Sequence, residues 1–351
     1  MRDEGDKKRI EEYDVLRVIA TICVVIGHSC YLIMGGVHYE VPKNSSWVYD
    51  SNLFQLIRFL SGWVYGFHMP LFFLLSGMVF HLKREGGFWE LVKEKARRLL
   101  LPYYLCGYLF MLPVKRLSGY YSAEDFPQAL MKFWHGGGDG HLWFLMALFW
   151  CFVVFWIIRR AVGSKRWPLV LGLALLVQIL AGKGSGDLFL FRRGMGYLFW
   201  FALGYYFDGF RKRLPEYRML QAGVIEFLIL LEVVILDIRY SFLSGPAVIL
   251  VSSYMMYVLS IMIAKRFPGI GGKKWFQLLA HYSMYIYLFH DPLEYVVLKI
   301  AFGHNWLLYR TGCLLYMGMR TAGVIGLSIL LGMAVERMKK GWKGLLLPAG
   351  R

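Results

Sequence analysis

Apolar residues in this chain neither alternate nor form narrow helical stripes. They come in long blocks separated by short polar stretches. About ten blocks can be marked, near residues 15–35, 56–81, 99–114, 142–158, 167–182, 194–208, 219–236, 243–264, 276–300 and 311–334. A helix needs about 20 apolar residues to cross a hydrocarbon core roughly 30 Å thick. The pattern therefore predicts an all-α, polytopic integral membrane protein with about ten transmembrane helices. The block near 99–114 is short for a span, and that near 194–208 is rich in Gly and aromatic residues. The first block is too long for a removable signal segment and has no small-residue cleavage site.

The connections are too short for a second soluble domain, so the chain reads as one membrane domain, 1–351. A tail over about 1–14 leads into a bundle over 15–334, and a second tail follows over 335–351. The longest outer connections are 36–55 and 115–141, the latter carrying Pro, aromatic residues and a GGGDG hinge.

Composition agrees with the pattern. The chain is 58% hydrophobic and 18% charged, with a mean hydropathy of +0.47, whereas soluble domains carry about 25% charged residues. Net charge is +17, and its placement decides its meaning. Segments 1–17, 82–98, 159–166, 209–218, 265–275 and 335–351 hold 28 of the 40 Lys and Arg. That asymmetry follows the positive-inside rule and predicts that both termini are cytoplasmic. Charge split among six short connections argues against a nucleic-acid partner, which would gather it on one face. The five cysteines (Cys23, Cys30, Cys106, Cys151 and Cys313) form no CxxC pair and read as packing residues.

Three blocks contain residues that hydrocarbon does not favour. In "YDVLRVIATICVVIGHS", Arg17 stands near the start and His28 deep inside. Eleven helical residues make three turns plus about 20°, so the two share a face about 16 Å apart along the axis. Asp14 lies on the same stripe. This puts Arg17 at the cytoplasmic interface and His28 near the midplane, where an ionisable group normally faces a bundle interior or a wet cavity. The plainer alternative is an interfacial anchor pair and an interhelical hydrogen bond. In the second block, His68 also falls near the middle of its helix. Pro70 follows and bends that helix, while Ser76 and Gly77 permit close approach of a neighbour. His290 sits in the outer half of the ninth block, with Asp291 and Glu294 just beyond it. No histidine pair has metal-site spacing, and no metal is expected.

These residues carry a resemblance. The Arg17-x10-His28 spacing, "FHMPLFFLLSG" (67–77), "EKARRLLLPYY" (94–104), "HLWFLMALF" (141–149) and "YSMYIYLFHDPL" (282–293) resemble, in order, the motifs of the membrane acyltransferase-3 family. That family includes O-antigen and fucose O-acetylases. In the basic motif Lys95 stands where the family usually has the first arginine of a pair with Arg98. The resemblance implies transfer of an acyl group, usually acetyl from acetyl-CoA, to a hydroxyl of a cell-envelope glycan. It implies the form without a soluble extracytoplasmic domain, in a bacterial cytoplasmic membrane.

Residue chemistry is compatible with that expectation. Esterifying a hydroxyl near neutral pH needs a proton acceptor, and unperturbed imidazole titrates near pH ~6.5. His28 is the expected catalytic residue, as a base or as a covalent acyl carrier, with Arg17 and Asp14 beside it. Arg17, Lys95, Arg97 and Arg98 would meet the phosphates of the donor; topology alone would also account for these charges. His68, Ser76, His141, Trp143 and His290 are the expected acceptor-side residues, with Trp143 offering a ring to a sugar face or belonging to an interfacial belt. Expected partners are membrane lipid and a carbohydrate or lipid-linked glycan, with no nucleic acid. Rival readings are a small-solute transporter of the same architecture, a bis-histidine haem carrier on His28 and His68, and a glycan flippase or polymerase.

Overall fold

A computed structural model describes residues 11–29, 52–82, 86–138, 140–163, 165–211, 223, 226, 241–304, 306 and 310–346. Every regular element among them is helical. Helix α1 is Glu11–Ser29 and α2 is Asn52–His81. Helix α3 is built of Phe88–Lys95, Leu101–Cys106 and Leu112–Leu117, joined by π-helical turns at Ala96–Leu100 and Gly107–Met111. Then come α4 (Phe126–Trp134), α5 (Trp143–Val162), α6 (Trp167–Lys183), α7 (Phe191–Met195), α8 (Leu198–Arg211), α9 (Ser241–Arg266) and α10 (Lys274–Gly303). Helix α11 comprises Arg310–Gly318, a π turn at Met319–Gly323, and Val324–Leu346.

Nine of the ten predicted blocks overlap these helices, the first of them over 15–29, where its described residues end. The tenth, near 219–236, lies outside the described residues except for Gly223 and Glu226. Within the described residues, four helical stretches are long and apolar enough to cross a membrane: Gly62–His81, Trp143–Val162, Val248–Arg266 and Leu314–Lys339. Trp167–Lys183 and Leu198–Phe207 are apolar but shorter. Helices α1 and α10 are diluted by ionisable residues, including Asp14, Arg17, Asp291 and Glu294.

The surface agrees with a membrane protein. Leu169, Leu176, Ile179 and Leu180 form an exposed apolar stripe on α6, and Leu101, Leu105 and Leu109 form another on α3. Contiguous apolar faces of this kind are a liability in water and ordinary against lipid.

The chain folds as two compact units. The first takes Met1–Ala20, Tyr65–Tyr104 and Met131–Lys273; the second takes Thr21–Val64, Leu105–Leu130 and Lys274–Arg351. In the first, α5 packs on α6, α7 and the first half of α3, while α8 packs on α6. Aromatic rings fill the space, with Phe73 stacked on Tyr197 at 4.5 Å and Phe152 edge-on to Phe201 at 4.8 Å. Helices α2 and α8 approach at paired glycines. A Cβ on Gly77 would strike the carbonyl oxygen of Phe201, and one on Gly204 would strike that of Leu74. Small residues permit such backbone approach in membrane helices.

In the second unit α10 packs along the later part of α11 and against the end of α3. Val25, Tyr282, Ile286 and Ile329 form one buried cluster, and Val297, Leu298, Ala301, Tyr316 and Val324 form another. Between these two clusters in sequence, α10 carries the polar residues of the site.

Candidate active site

The second unit buries six ionisable side chains in one network: Lys115, His28, His290, Asp291, Glu294 and Arg320. Local structure explains how they meet. His290, Asp291 and Glu294 fall at neighbouring positions on α10, and residues three and four apart share a helix face. Pro292 donates no backbone hydrogen bond and so releases the carbonyl of Leu288. The Cys106 thiol donates to that oxygen at 3.4 Å, tying α3 to α10. Lys115 follows the second π turn of α3, and Arg320 lies within the π turn of α11. A π turn adds a residue to the helical cycle and re-aims the side chains beyond it; such turns are frequent at functional sites.

His28 Nδ1 lies 3.2 Å from Asp291 Oδ1, and Lys115 Nζ lies 2.8 Å from Asp291 Oδ2. Asp291 thus stands between an imidazole and an ammonium. The Lys115 ammonium also faces the rings of Tyr120 and Tyr295, 4.8 and 4.7 Å from their centroids. On the other side of the network, Arg320 donates to Glu294 Oε2 at 3.0 Å. With both carboxyls ionised, Lys115 and Arg320 charged and both imidazoles neutral, the buried set carries no net charge. That balance matters, because an uncompensated buried charge is costly.

The His290 imidazole is set in one tautomer by its acceptors. His290 Nδ1 faces the carbonyl oxygens of Ile286 and Tyr287 at 3.0 and 2.8 Å. Carbonyl oxygens only accept, so Nδ1 of His290 carries the hydrogen. The Asp291 carboxylate oxygen 3.2 Å from Nδ1 of His28 favours the tautomer with its hydrogen there and the lone pair on Nε2. The rings meet edge to face, 4.9 Å between centroids. A carboxylate behind Nδ1 with a basic Nε2 in front is the arrangement that lets a histidine take a proton from a hydroxyl. Among the described residues, no group of three or more His, Cys, Asp or Glu could hold a metal ion.

A model of the acyltransferase-3 family, described as an acyltransferase domain, matches residues 10–333. The chain belongs to the acyltransferase-3 family. No curated protein and no solved structure matches it. Membership, with helices long and apolar enough to cross a membrane, makes it a membrane acyltransferase.

Of the residues singled out in the sequence, the acyltransferase brings His28 and His290 together. The other nine lie in the first unit. Asp14 pairs with Arg17 at 3.0 Å, whereas the carboxylate at His28 is that of Asp291. Arg97 and Arg98 are exposed, with Arg98 paired to Glu94 at 3.1 Å. Lys95 is buried and lies 4.0 Å from the centroid of the Phe152 ring. His68 is buried edge-on to Tyr65, and Ser76 is half-buried. His141 is buried, and Trp143 lies beneath the Arg193 guanidinium at 5.1 Å.

Sequence reasoning grouped Asp291 and Glu294 with His290 on the acceptor side rather than with His28, and it passed over Lys115 and Arg320. A signal existed for Arg320, which interrupts the apolar block at 311–334 as His28 interrupts the first. Lys115 stands in a predicted outer connection, where a basic residue draws no notice.

Proposed function

We propose that the protein is an O-acetyltransferase that moves an acetyl group from cytosolic acetyl-CoA to a hydroxyl of a cell-envelope glycan. It works in a bacterial cytoplasmic membrane with both termini in the cytoplasm. The observation that carries this reading is the contact of Asp291 with Nδ1 of buried His28. Asp291 holds the ring so that Nε2 takes the proton of the acceptor hydroxyl as its oxygen attacks the thioester carbonyl. The tetrahedral intermediate then collapses, the carbon–sulfur bond breaks, and the departing thiolate recovers the proton from Nε2. During the step His28 is a cation, and Asp291 offsets its charge. Arg17, Arg97 and Arg98 supply exposed or half-exposed guanidinium groups for the donor's phosphates. Lys95 would have to leave its aromatic bed to join them. His68, Ser76, His141, Trp143 and His290 are assigned to the acceptor.

The test is direct. Membranes containing the protein are incubated with acetyl-CoA labelled in the acetyl group, and label that mild base releases from lipid-linked and surface glycans is measured. His28→Gln retains a polar side chain but cannot accept a proton near neutral pH. It should lower transfer by about 100- to 10,000-fold at an undiminished membrane level. Near-normal transfer by that variant would remove His28 from the chemistry.

A further inference from the structure

One buried cation of the network does not touch the reacting imidazole, yet it holds the backbone from which that imidazole projects. Arg320 is almost wholly buried. Its Nη1 donates to the carbonyl oxygen of Ser29 at 2.8 Å and to the Tyr316 hydroxyl at 2.6 Å. Its Nη2 donates to the carbonyl oxygen of His28 at 3.1 Å and to Glu294 Oε2 at 3.0 Å. One guanidinium therefore joins the last described turn of α1 to α10 and to its own helix. Thr321, next in the same π turn, adds a hydroxyl contact to Ser29 Oγ at 3.3 Å.

We propose that Arg320 is a positioning residue for His28: it clamps the backbone of His28 and Ser29 against α10 and so sets Nδ1 at Asp291. The inference rests on the reading of His28 as the base. Several observations converge on it. The clamp grips the very residue that carries the base. Its counter-charge, Glu294, lies one turn of α10 from Asp291, so the two carboxylates share one rigid scaffold while each serves a different atom of the same catalytic residue. A guanidinium alone suits the task, since its planar fork reaches four acceptors at fixed angles while an ammonium donates from a single point. The π turn supplies the register: Arg320 and Thr321 turn toward α1 from within the widened cycle at Met319–Gly323. An anchor needed only for folding would not have to fall on His28 itself.

The test compares turnover in the full-length protein in native membranes. Arg320 and Glu294 are removed together as Glu294→Gln/Arg320→Gln, which keeps the buried network neutral. Displacement of a reacting group by about 1 Å can cost on the order of 100-fold. The double variant should therefore lose roughly that factor in kcat, with the apparent KM for acetyl-CoA unchanged. Placed in the His28→Gln background, the same pair should cause no further loss of the residual rate, because the clamp acts only through His28. Tyr316→Phe removes one neutral contact, leaves every charge in place and should lower kcat about two- to tenfold. It carries the test if the double variant does not accumulate. Wild-type kcat in the variants that fold, a loss confined to the KM for acetyl-CoA, or an equal loss with and without His28 would each overturn the clamp. Failure of the wild-type protein to transfer label would instead reject acetyl transfer itself, and full activity of His28→Gln alone would reject the base.

Discussion

Asp291 is the residue whose surroundings ask most of it. Its carboxylate serves His28 through one oxygen and Lys115 through the other, and these two demands can be separated. Asp291→Asn keeps the shape but offers an amide hydrogen in place of an acceptor if its nitrogen faces Nδ1. That moves the imidazole hydrogen to Nε2, the position required for proton uptake. Turnover should fall on the order of 100-fold or more, by the tautomer argument familiar from Asp–His–Ser sites. Stability should fall as well, because Lys115 is left buried without its counter-charge, at a cost of about 3–5 kcal/mol. Adding Lys115→Met should restore the melting temperature measured in detergent while leaving transfer lost. If the double variant regains activity along with stability, Asp291 is only a counter-ion. His28 was legible in the sequence because its depth in an apolar block is anomalous. Its partner was harder to single out, since a helical wheel drawn on one helix reaches Asp14 readily and Asp291, more than 250 residues later, only through the fold.

At the scale of elements, periodicity found the helices but missed the turns that aim them. The blocks at 99–114 and 311–334 read as uninterrupted α-helix, whereas α3 carries two π turns and α11 carries one. An inserted residue shifts every later side chain around the axis without changing the hydrophobic count. The direction in which Lys115 and Arg320 point was therefore not readable, although Arg320 breaks its apolar block. Close approach was easier to read, because small residues announce it: Gly77 was singled out, and α8 answers it with Gly204. Gly77→Ala or Gly204→Ala should each destabilise the first unit by about 1–3 kcal/mol through overpacking, seen as a lower melting temperature in detergent. Gly66→Ala, on the same α2 but with nothing within 4 Å of the added methyl, should leave it unchanged or raise it by helix propensity. Equal behaviour of Gly66→Ala and Gly77→Ala would show that the α2–α8 contact is loose.

For the whole molecule, the distribution of charge makes the strongest statement. With 28 of 40 basic residues in alternate connections, tags fused before Met1 and after Arg351 should be digested by protease only in inverted vesicles. Cleavage of either tag in intact cells would break the proposed orientation. All-helical architecture and membrane character were both readable from block length and composition, because a bilayer imposes its thickness on every helix that crosses it. The division into two compact units was not readable, since the same helices, α1 and α2 among them, contribute residues to both.

The neutral buried network also bears on how the chain is made. Helix α10 emerges from the ribosome carrying Asp291 and Glu294, and Lys115 has already been synthesised. Arg320, the partner of Glu294, is still 26 residues away. A carboxylate near the middle of a membrane helix costs about 2.5–3.5 kcal/mol at the translocon. Helix α10 should therefore be held poorly by the bilayer until α11 arrives, so that the last two helices enter as a pair. A chain cut after Gly303 should leave α10 largely uninserted when its position is read by glycosylation tags in microsomes. Glu294→Leu should restore insertion of that shortened chain without α11. Efficient insertion of the unaltered shortened chain would mean that α10 is settled in the membrane before its arginine is made.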